Sequence, residues 1–450
     1  MRAAITAYCA AIGSDPLLVQ GAGGNVSWKE GGTLWVKASG TWLADARRRE
    51  IFVPVALAPL RDAMRRGDFD AAPRTLSGST LRPSIETMLH ALLDHKVVMH
   101  VHAVEILAHL VRPNFETAIA DRIGTATGWV ATAYHKPGAE LAKAVKAAIA
   151  SHPSADVVFL QNHGVVAGGR DVADVSRTLR LIVERLANPV RSSTAAPADA
   201  AGMEALKALG YRPVPLPDVQ KLAADPSYFR QLRQSWALYP DHVVFLGAAP
   251  AIFDDAGAFR LFHQRSGQAP ELVFVRGAGV FERQPLSAAK YAYLRCYCDV
   301  MSRQSEDAEL VTLRDSDIGA LLNWDAEKFR QATGEEAGRQ PEKYRPFPPV
   351  PHAANGAAAL PPLPRPPSPL RLFLSNAKYR KWAASKLILC FSPILPSRFK
   401  QRMQRRIKKH QTGAKMALLE ISELTEPARE IFRELSALHA SSSQTKRLER

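Results

Sequence analysis

Apolar residues in the first 190 positions fall into two alternating patterns. Dense runs of four to seven residues, rich in Val and Ile, have the length and composition of strands; stretches with apolar residues every three or four positions have helical spacing. "TLWVKAS" (33–39) and "IFVPVAL" (51–57) are of the first kind, and "RPSIETMLHALLDH" (82–95) of the second. A strand "KVVMHVHA" (96–103), a helix "GAELAKAVKAAIASH" (138–152) and a strand with a turn, "ADVVFLQNHGVVAGG" (155–169), follow. The helix "DVADVSRTLRLIVERLA" (171–187) closes the unit. Small and polar residues over 188–202 mark a linker, and a second αβ region runs to about Arg330. The order predicts an α/β protein with a domain over 1–190 and a smaller lobe over 200–335.

The two regions echo each other. "VVFLQNHGVVAGGRDVADVSRTLRLIVERL" from Val157 and "LVFVRGAGVFERQPLSAAKYAYLRCYCDVM" from Leu272 both read as strand, glycine turn, then helix. In that register Ala278 stands where the first copy has His163. "HKVVMHVHAV" has a counterpart in "DHVVFLGAAP", with Leu246 and Ala248 in place of His100 and His102. A degenerate duplication accounts for all three losses, and chance resemblance between amphipathic units is the other explanation.

From Pro346 to Pro369 the chain reads "PFPPVPHAANGAAALPPLPRPPSP", an extended, polyproline-like linker (346–370) without a core. A basic helical tail over 371–450 follows. The chain of 450 residues carries a net charge of +16, but 13 Lys or Arg and no acidic residue lie between Arg371 and Lys415. The body is therefore nearly neutral, and no specific nucleic acid is expected as a partner. The cations of 371–415 are mixed with Leu, Phe, Trp and Ile, a combination suited to an anionic membrane surface; a solvated or nucleic-acid-sticky tail has the same composition. No stretch of 18 apolar residues and no sustained apolar leader occur. Four cysteines without CxxC spacing (Cys9, Cys296, Cys298, Cys390) fit a reduced, cytoplasmic protein, one peripheral to the inner face of the membrane if the tail binds lipid.

Candidate chemistry begins in the apolar strand at 96–103. His100 and His102, two apart, share one face. They are either a two-pronged ligand or core histidines satisfied by hydrogen bonds. A third histidine, His163 of "LQNHGVV", follows another apolar strand. Three neutral imidazoles around an open position suit a catalytic zinc or similar divalent ion; three buried structural histidines are the other reading. Glu86, 14 residues before His100, can return its carboxylate to the same place as base, ligand or both, or simply sit where a helix N-terminus favours a negative charge. His90, one turn on, reads as support or packing. "QGAGGNVSWKE" (20–30) and "KASGT" (37–41) are glycine-dense turns whose amides, with Asn25, Ser39 and Thr41, can cradle a phosphate or carboxylate. "STLRPS" adds Arg82 and Ser84 as anion contacts. No GxGxxG follows a strand and opens a helix, so a dinucleotide site is unsupported.

Taken in order, "GAGGNVS", "KASGT", the glutamate of "RPSIE", "HVH" and "NHG" make residues 1–190 resemble the class II aldolase/adducin family, which includes fuculose- and rhamnulose-phosphate aldolases and ribulose-phosphate 4-epimerases. The wording of "GAGGNVSWKEGGTLWVKASGTWLADA" and "LLNWDAEKFRQ" is closest to the aldolase portion of rhamnose-utilisation-type proteins, many of which continue into a dehydrogenase domain. The resemblance implies a three-layer α/β/α fold with a mixed, largely antiparallel sheet. It also implies that His100, His102 and His163 bind zinc (manganese or cobalt as substitutes), with Glu86 as acid/base. Asn25, Ser39, Gly40 and Ser84 would surround a substrate phosphate. Two departures stand out. Ile85 follows Ser84 where the family often has a second serine, and no tyrosine lies between Val104 and Val130, leaving Tyr134 as a later candidate.

The implied activity is that of a metal-dependent aldehyde-lyase, cleaving or forming a C–C bond of a small sugar or sugar phosphate. Epimerisation and decarboxylation use the same enolate chemistry, and an adducin-like scaffold without chemistry is the reading from a different class. The retained histidines and Glu86 favour the enzyme. Family members commonly form homo-oligomers with sites at subunit interfaces, a contact the second lobe could replace within one chain.

Overall fold

In a computed structural model the described residues are 1–338, apart from Ser77 and 194–198; the linker 346–370 and the basic tail 371–450 predicted above lie outside them. The first lobe runs α1 (Arg2–Gly13), β1 (Asn25–Glu30), β2 (Thr33–Lys37), β3 (Phe52–Ala56), α2 (Leu57–Arg65), α3 (Thr87–Leu92) and β4 (Val97–Val101). It continues with α4 (Val104–Leu110), α5 (Phe115–Ile123), β5 (Trp129–Thr132), α6 (Ala139–Ser151), β6 (Val157–Leu160), β7 (Gly164–Gly169) and α7 (Val172–Leu186).

Its seven strands form one sheet in the order β3-β2-β1-β4-β7-β6-β5. Only the β5–β6 pair is parallel, because only that pair is joined by a crossover helix, α6. Strand alternation sends Val97, Met99 and Val101 into a core built with α1, α4, α5 and α7. Val98 faces the other way, onto Leu89 of α3 and Leu141 of α6, and Leu34, Val36, Val53 and Val55 meet α2 on that side. The result is the expected three-layer α/β/α fold with a mixed, mostly antiparallel sheet. His100 shares the parity of Val98, so its imidazole emerges on the α3 side, where Glu86 precedes the helix. That helix is shorter than the sequence pattern suggests. Pro83 bridges Ala38 in extended form, and the helix begins only after Glu86.

The second lobe has α8 (Ala200–Ala208), β8 (Arg212–Pro213), α9 (Lys221–Ala224), α10 (Pro226–Gln234), α11 (Pro240–Leu246), β9 (Ala251–Phe253) and α12 (Ala256–Ser266). Then come β10 (Leu272–Val275), β11 (Gly279–Glu282), α13 (Ala288–Met301), α14 (Asp315–Leu322) and α15 (Asp325–Gly338). Four strands form a sheet ordered β8-β11-β10-β9, and both lobes belong to one compact unit. The segment β9-α12-β10-β11-α13 repeats the order β5-α6-β6-β7-α7, including one parallel and one antiparallel pair.

One part of the predicted echo fails. "DHVVFLGAAP" is not a counterpart of the His-x-His strand, because its residues 240–246 form helix α11. Pro240 takes the first helical position, where its missing N–H costs nothing. A four-residue apolar run, Val243 to Leu246, does not by itself distinguish strand from helix. Leu246 and Ala248 therefore do not occupy strand positions equivalent to His100 and His102.

Candidate active site

Two loops and three strand ends converge at the α3 side of the first sheet. Asn25 of β1 pairs in register with His100 of β4, and His100 with Val166 of β7. His102 lies just beyond β4, and His163 occupies the β6–β7 turn. That turn depends on Asn162, the single non-glycine described residue with positive φ (51°). Its amide nitrogen donates to the carbonyls of Leu238 (2.8 Å) and Val311 (2.7 Å), so the second lobe fixes the turn that presents His163. Gly164 must lack a side chain: a Cβ there would stand 2.6 Å from the Val101 carbonyl oxygen and 2.8 Å from the His102 ring.

The three imidazoles are buried, with ring centroids 4.8, 4.9 and 5.4 Å apart, and their ligand atoms all lie within 4.8 Å of one another. His100 Nδ1 lies 3.1 Å from the Val165 carbonyl oxygen, and His102 Nδ1 lies 3.2 Å from Asp241 Oδ2. The Val165 carbonyl takes the hydrogen of His100 Nδ1, which turns the His100 Nε2 lone pair toward His102 Nε2 at 3.0 Å. A cation shared by the two nitrogens suits that arrangement. The donor set thus fits a metal ion with three nitrogen ligands; the Val165 carbonyl holds His100 from behind, as outer partners of metal-binding histidines usually do, whereas His163 Nδ1 has no hydrogen-bond partner. Burial lowers the His100 pKa and takes His163 down to about 3, so both imidazoles are neutral, the form that binds metal.

Glu86 faces this group with Oε1 at 3.4 Å from His163 Nε2 and Oε2 at 3.7 Å from His100 Nε2. Asn25 donates to Oε2 at 2.6 Å, and Oε1 has no hydrogen-bond partner. Burial would raise the carboxyl's pKa, but His100, His163, His102 and His90 outweigh it and bring it to about 2. His90, fully buried, accepts or donates at Ser27 Oγ (2.8 Å); it supports the strand and does not reach the histidine cluster's ligand atoms.

A cavity beside the cluster is lined by Asn25, Ser39, Gly40, Ser84, Glu86, His102 and His163, all foreseen from the sequence, with His100 buried behind them. Arg82 is not in it; its guanidinium stacks over Phe329 at 4.1 Å. Tyr134 packs beside Ile318 and Leu313 and does not line the cavity either. Four charged lining residues escaped the sequence reading: Lys37, Asp241, Glu327 and Arg330. Lys37 Nζ donates to the carbonyls of Ala22 (2.9 Å) and Thr41 (2.6 Å), tying together the two glycine-dense loops. Its burial and the nearby Arg330 charge lower its pKa to about 7. Asp241 comes from α11, and Glu327 and Arg330 from α15, which lies over the Gly40 turn closely enough that a Cβ on Gly40 would be 2.6 Å from Thr333 Cβ. A trace of this wall was visible: Glu327 and Arg330 are three apart in "NWDAEKFRQ", hence on one helical face.

Residues 3–188 match the Class II Aldolase and Adducin N-terminal domain. The first lobe belongs to the class II aldolase and adducin family. This aldolase-family lobe is 31% identical over 174 residues to an uncharacterized oxidoreductase, YuxG, of Bacillus subtilis, covering 35% of this chain and 25% of that protein. The match thus spans a quarter of the length of that curated relative. Among solved structures, the N-terminal class II aldolase domain of a conserved protein from Thermoplasma acidophilum is 29% identical, covering 40% of this chain and 90% of that one with a TM-score of 0.35. An L-fuculose-1-phosphate aldolase from Thermus thermophilus is 21% identical over 40% of this chain and 88% of its own, with a TM-score of 0.28. Among the described residues no helix is long and apolar enough to cross a membrane.

Proposed function

We infer that the first lobe is a metal-dependent aldehyde-lyase that makes or breaks a C–C bond in a small ketose or ketose phosphate through an enediolate. The observation that carries this reading is the convergence of three buried imidazoles, two of them with Nε2 atoms 3.0 Å apart, beside a charged, half-unpartnered carboxylate. His100, His102 and His163 hold the divalent ion, zinc by preference for three nitrogen donors. When bound, that ion acts as a Lewis acid toward the negative charge developing on the ketone oxygen. Glu86 takes and returns the proton at the carbon next to the carbonyl, with Asn25 fixing its Oε2 so that Oε1 is free for the transfer. Ser39 and Ser84 hydroxyls and the Gly40 turn bind the far oxygens of the substrate. Ser39 Oγ, buried and without a partner, is free to bond one of them.

Epimerisation of a neighbouring carbon would use the same groups. A scaffold role would not maintain three converging imidazoles and a charged glutamate in the interior, and the oxidoreductase name belongs to a relative most of whose length lies outside the match. Elemental analysis of the purified full-length protein should find about one divalent ion per chain, absent after His100→Ala/His102→Ala. Glu86→Gln should keep the metal and lose about 10²-fold or more in turnover on ketose and ketose-phosphate panels, the scale of a general acid/base. A wild type that takes up no added zinc would defeat the reading.

A further inference from the structure

Glu327 is one of the charged groups of this cavity that the proposed chemistry does not use. It sits on α15, 2% exposed, and lines the same space as Glu86, His102 and His163. Its two oxygens are treated differently. Oε2 accepts from Arg330 Nε at 2.5 Å, while Oε1 is buried with no hydrogen-bond partner. A carboxyl oxygen left unpartnered in the interior is costly, a cost that a ligand group occupying the cavity would relieve. Arg330 is itself anchored, donating to Asp241 Oδ1 at 2.5 Å, so the Glu327 side chain is held by a rigid support and not by a mobile surface contact.

We propose that Glu327 is a second catalytic carboxyl of this site, exchanging a proton with the oxygen of the aldehyde fragment while Glu86 works at carbon. The assignment rests on the lyase reading above. In condensation, the electron pair of the enediolate carbon forms the new C–C bond to the aldehyde carbon. The C=O pair moves onto the aldehyde oxygen, and that oxygen takes the Glu327 proton, leaving a carboxylate paired with Arg330. In cleavage the carboxylate removes the hydroxyl proton, the C=O bond reforms, and the C–C pair passes to the ketone fragment, whose carbon takes a proton relayed from water through Glu86. Burial raises the pKa of Glu327, against the opposing Arg330 charge, which suits a carboxyl that must hold a proton for the aldehyde oxygen.

The two half-reactions separate the roles. On the zinc-loaded full-length protein, dihydroxyacetone and dihydroxyacetone phosphate report proton exchange at carbon through deuterium uptake from D₂O. C–C bond formation with glycolaldehyde and glyceraldehyde reports the complete reaction. Glu327→Gln, which keeps an acceptor for Arg330, should leave exchange within about 3-fold while condensation falls about 10²-fold; Glu327→Asp should recover part of it. Glu86→Gln should lose both. Parallel loss of exchange and condensation in Glu327→Gln, or loss of neither, overturns the assignment; zinc content and melting temperature of the variant show that the fold is intact. A zinc-bound wild type that exchanges no deuterium with either ketone defeats the lyase reading itself, and the Glu327 role with it.

Discussion

The β6–β7 hairpin of the first lobe and the β10–β11 hairpin of the second are nearly the same object. In each, the leading strand runs parallel to a neighbour in equivalent register, Leu160 opposite Thr132 and Val275 opposite Phe253. The next residue donates to that neighbour's carbonyl at 3.0 Å in both lobes, Gln161 to Thr132 and Arg276 to Phe253. The turn closes with His163 donating to Leu160 and Ala278 to Val275. Even the left-handed position is kept, by Asn162 at φ 51° and by Gly277 at φ 75°. What differs is what the turn presents. Asn162 accepts the strained conformation, which costs a non-glycine residue about 1–2 kcal/mol, and recovers it through two hydrogen bonds to the second lobe. Gly277 needs no such help, and Ala278 carries no donor. The scaffold is thus independent of the chemistry. A hairpin of this kind folds with or without a ligand, and the lobe without the histidine cluster contributes Asp241 to the cavity of the lobe that has it.

The most severe way to test that contrast is to give the first hairpin the second one's residue. His163→Ala should abolish stoichiometric metal binding and with it turnover, leaving a two-nitrogen site, while the metal-free protein keeps its far-ultraviolet circular dichroism. Collapse of the fold in the metal-free variant would instead make His163 a structural residue. A smaller effect is expected across the lobes. Asp241→Asn weakens the hold on His102 Nδ1 without removing a ligand, so zinc affinity, measured by competition with a chelator, should fall about 10–100-fold. Unchanged affinity would mean that Asp241 serves Arg330 alone.

Much of the first lobe was legible in the sequence, for a physical reason. Its strands are short apolar runs set between helices of clear 3.6 periodicity, and its histidines are rare polar residues in apolar strands, so both patterns mark themselves. Asn25, Ser39, Gly40, Ser84, Glu86 and the three histidines do meet at one place. Arg82 does not, because a cation in a loop gives no sign of which way it turns, and the Phe329 ring that captures it is far along the chain. Asp241, Glu327 and Arg330 were hidden for the opposite reason. Each lies on a helix that looks like an ordinary amphipathic element, and only tertiary packing turns its polar face inward. Lys37 opens "KASGT" at a strand end, where a lysine usually faces water, yet it is 1% exposed and bonded to two carbonyls.

The mildest prediction concerns a histidine that the second lobe buries without any of the first lobe's compensation. His242 is fully buried among Trp236, Tyr297 and Tyr239, with ring centroids at 4.3, 4.6 and 5.5 Å, and neither ring nitrogen has a hydrogen-bond partner. Burial alone lowers its pKa to about 3, below the value near 6.5 expected of the unfolded chain. Between those values the unfolded state holds a proton that the folded state does not. Its penalty is therefore absent above about pH 6.5 and grows as pH falls toward 3. For one group the slope is at most about 1.4 kcal/mol per pH unit. Buried His90, His109 and His163 act in the same direction, so wild-type stability should decline steeply over this window. His242→Phe, which keeps an aromatic ring in an aromatic cage, should make the decline shallower by up to one proton and leave zinc binding unchanged. Identical slopes for the two proteins in urea titrations from pH 7 to pH 4 would show that His242 gains a proton partner in the folded state, and that the second lobe is less apolar there than its packing indicates.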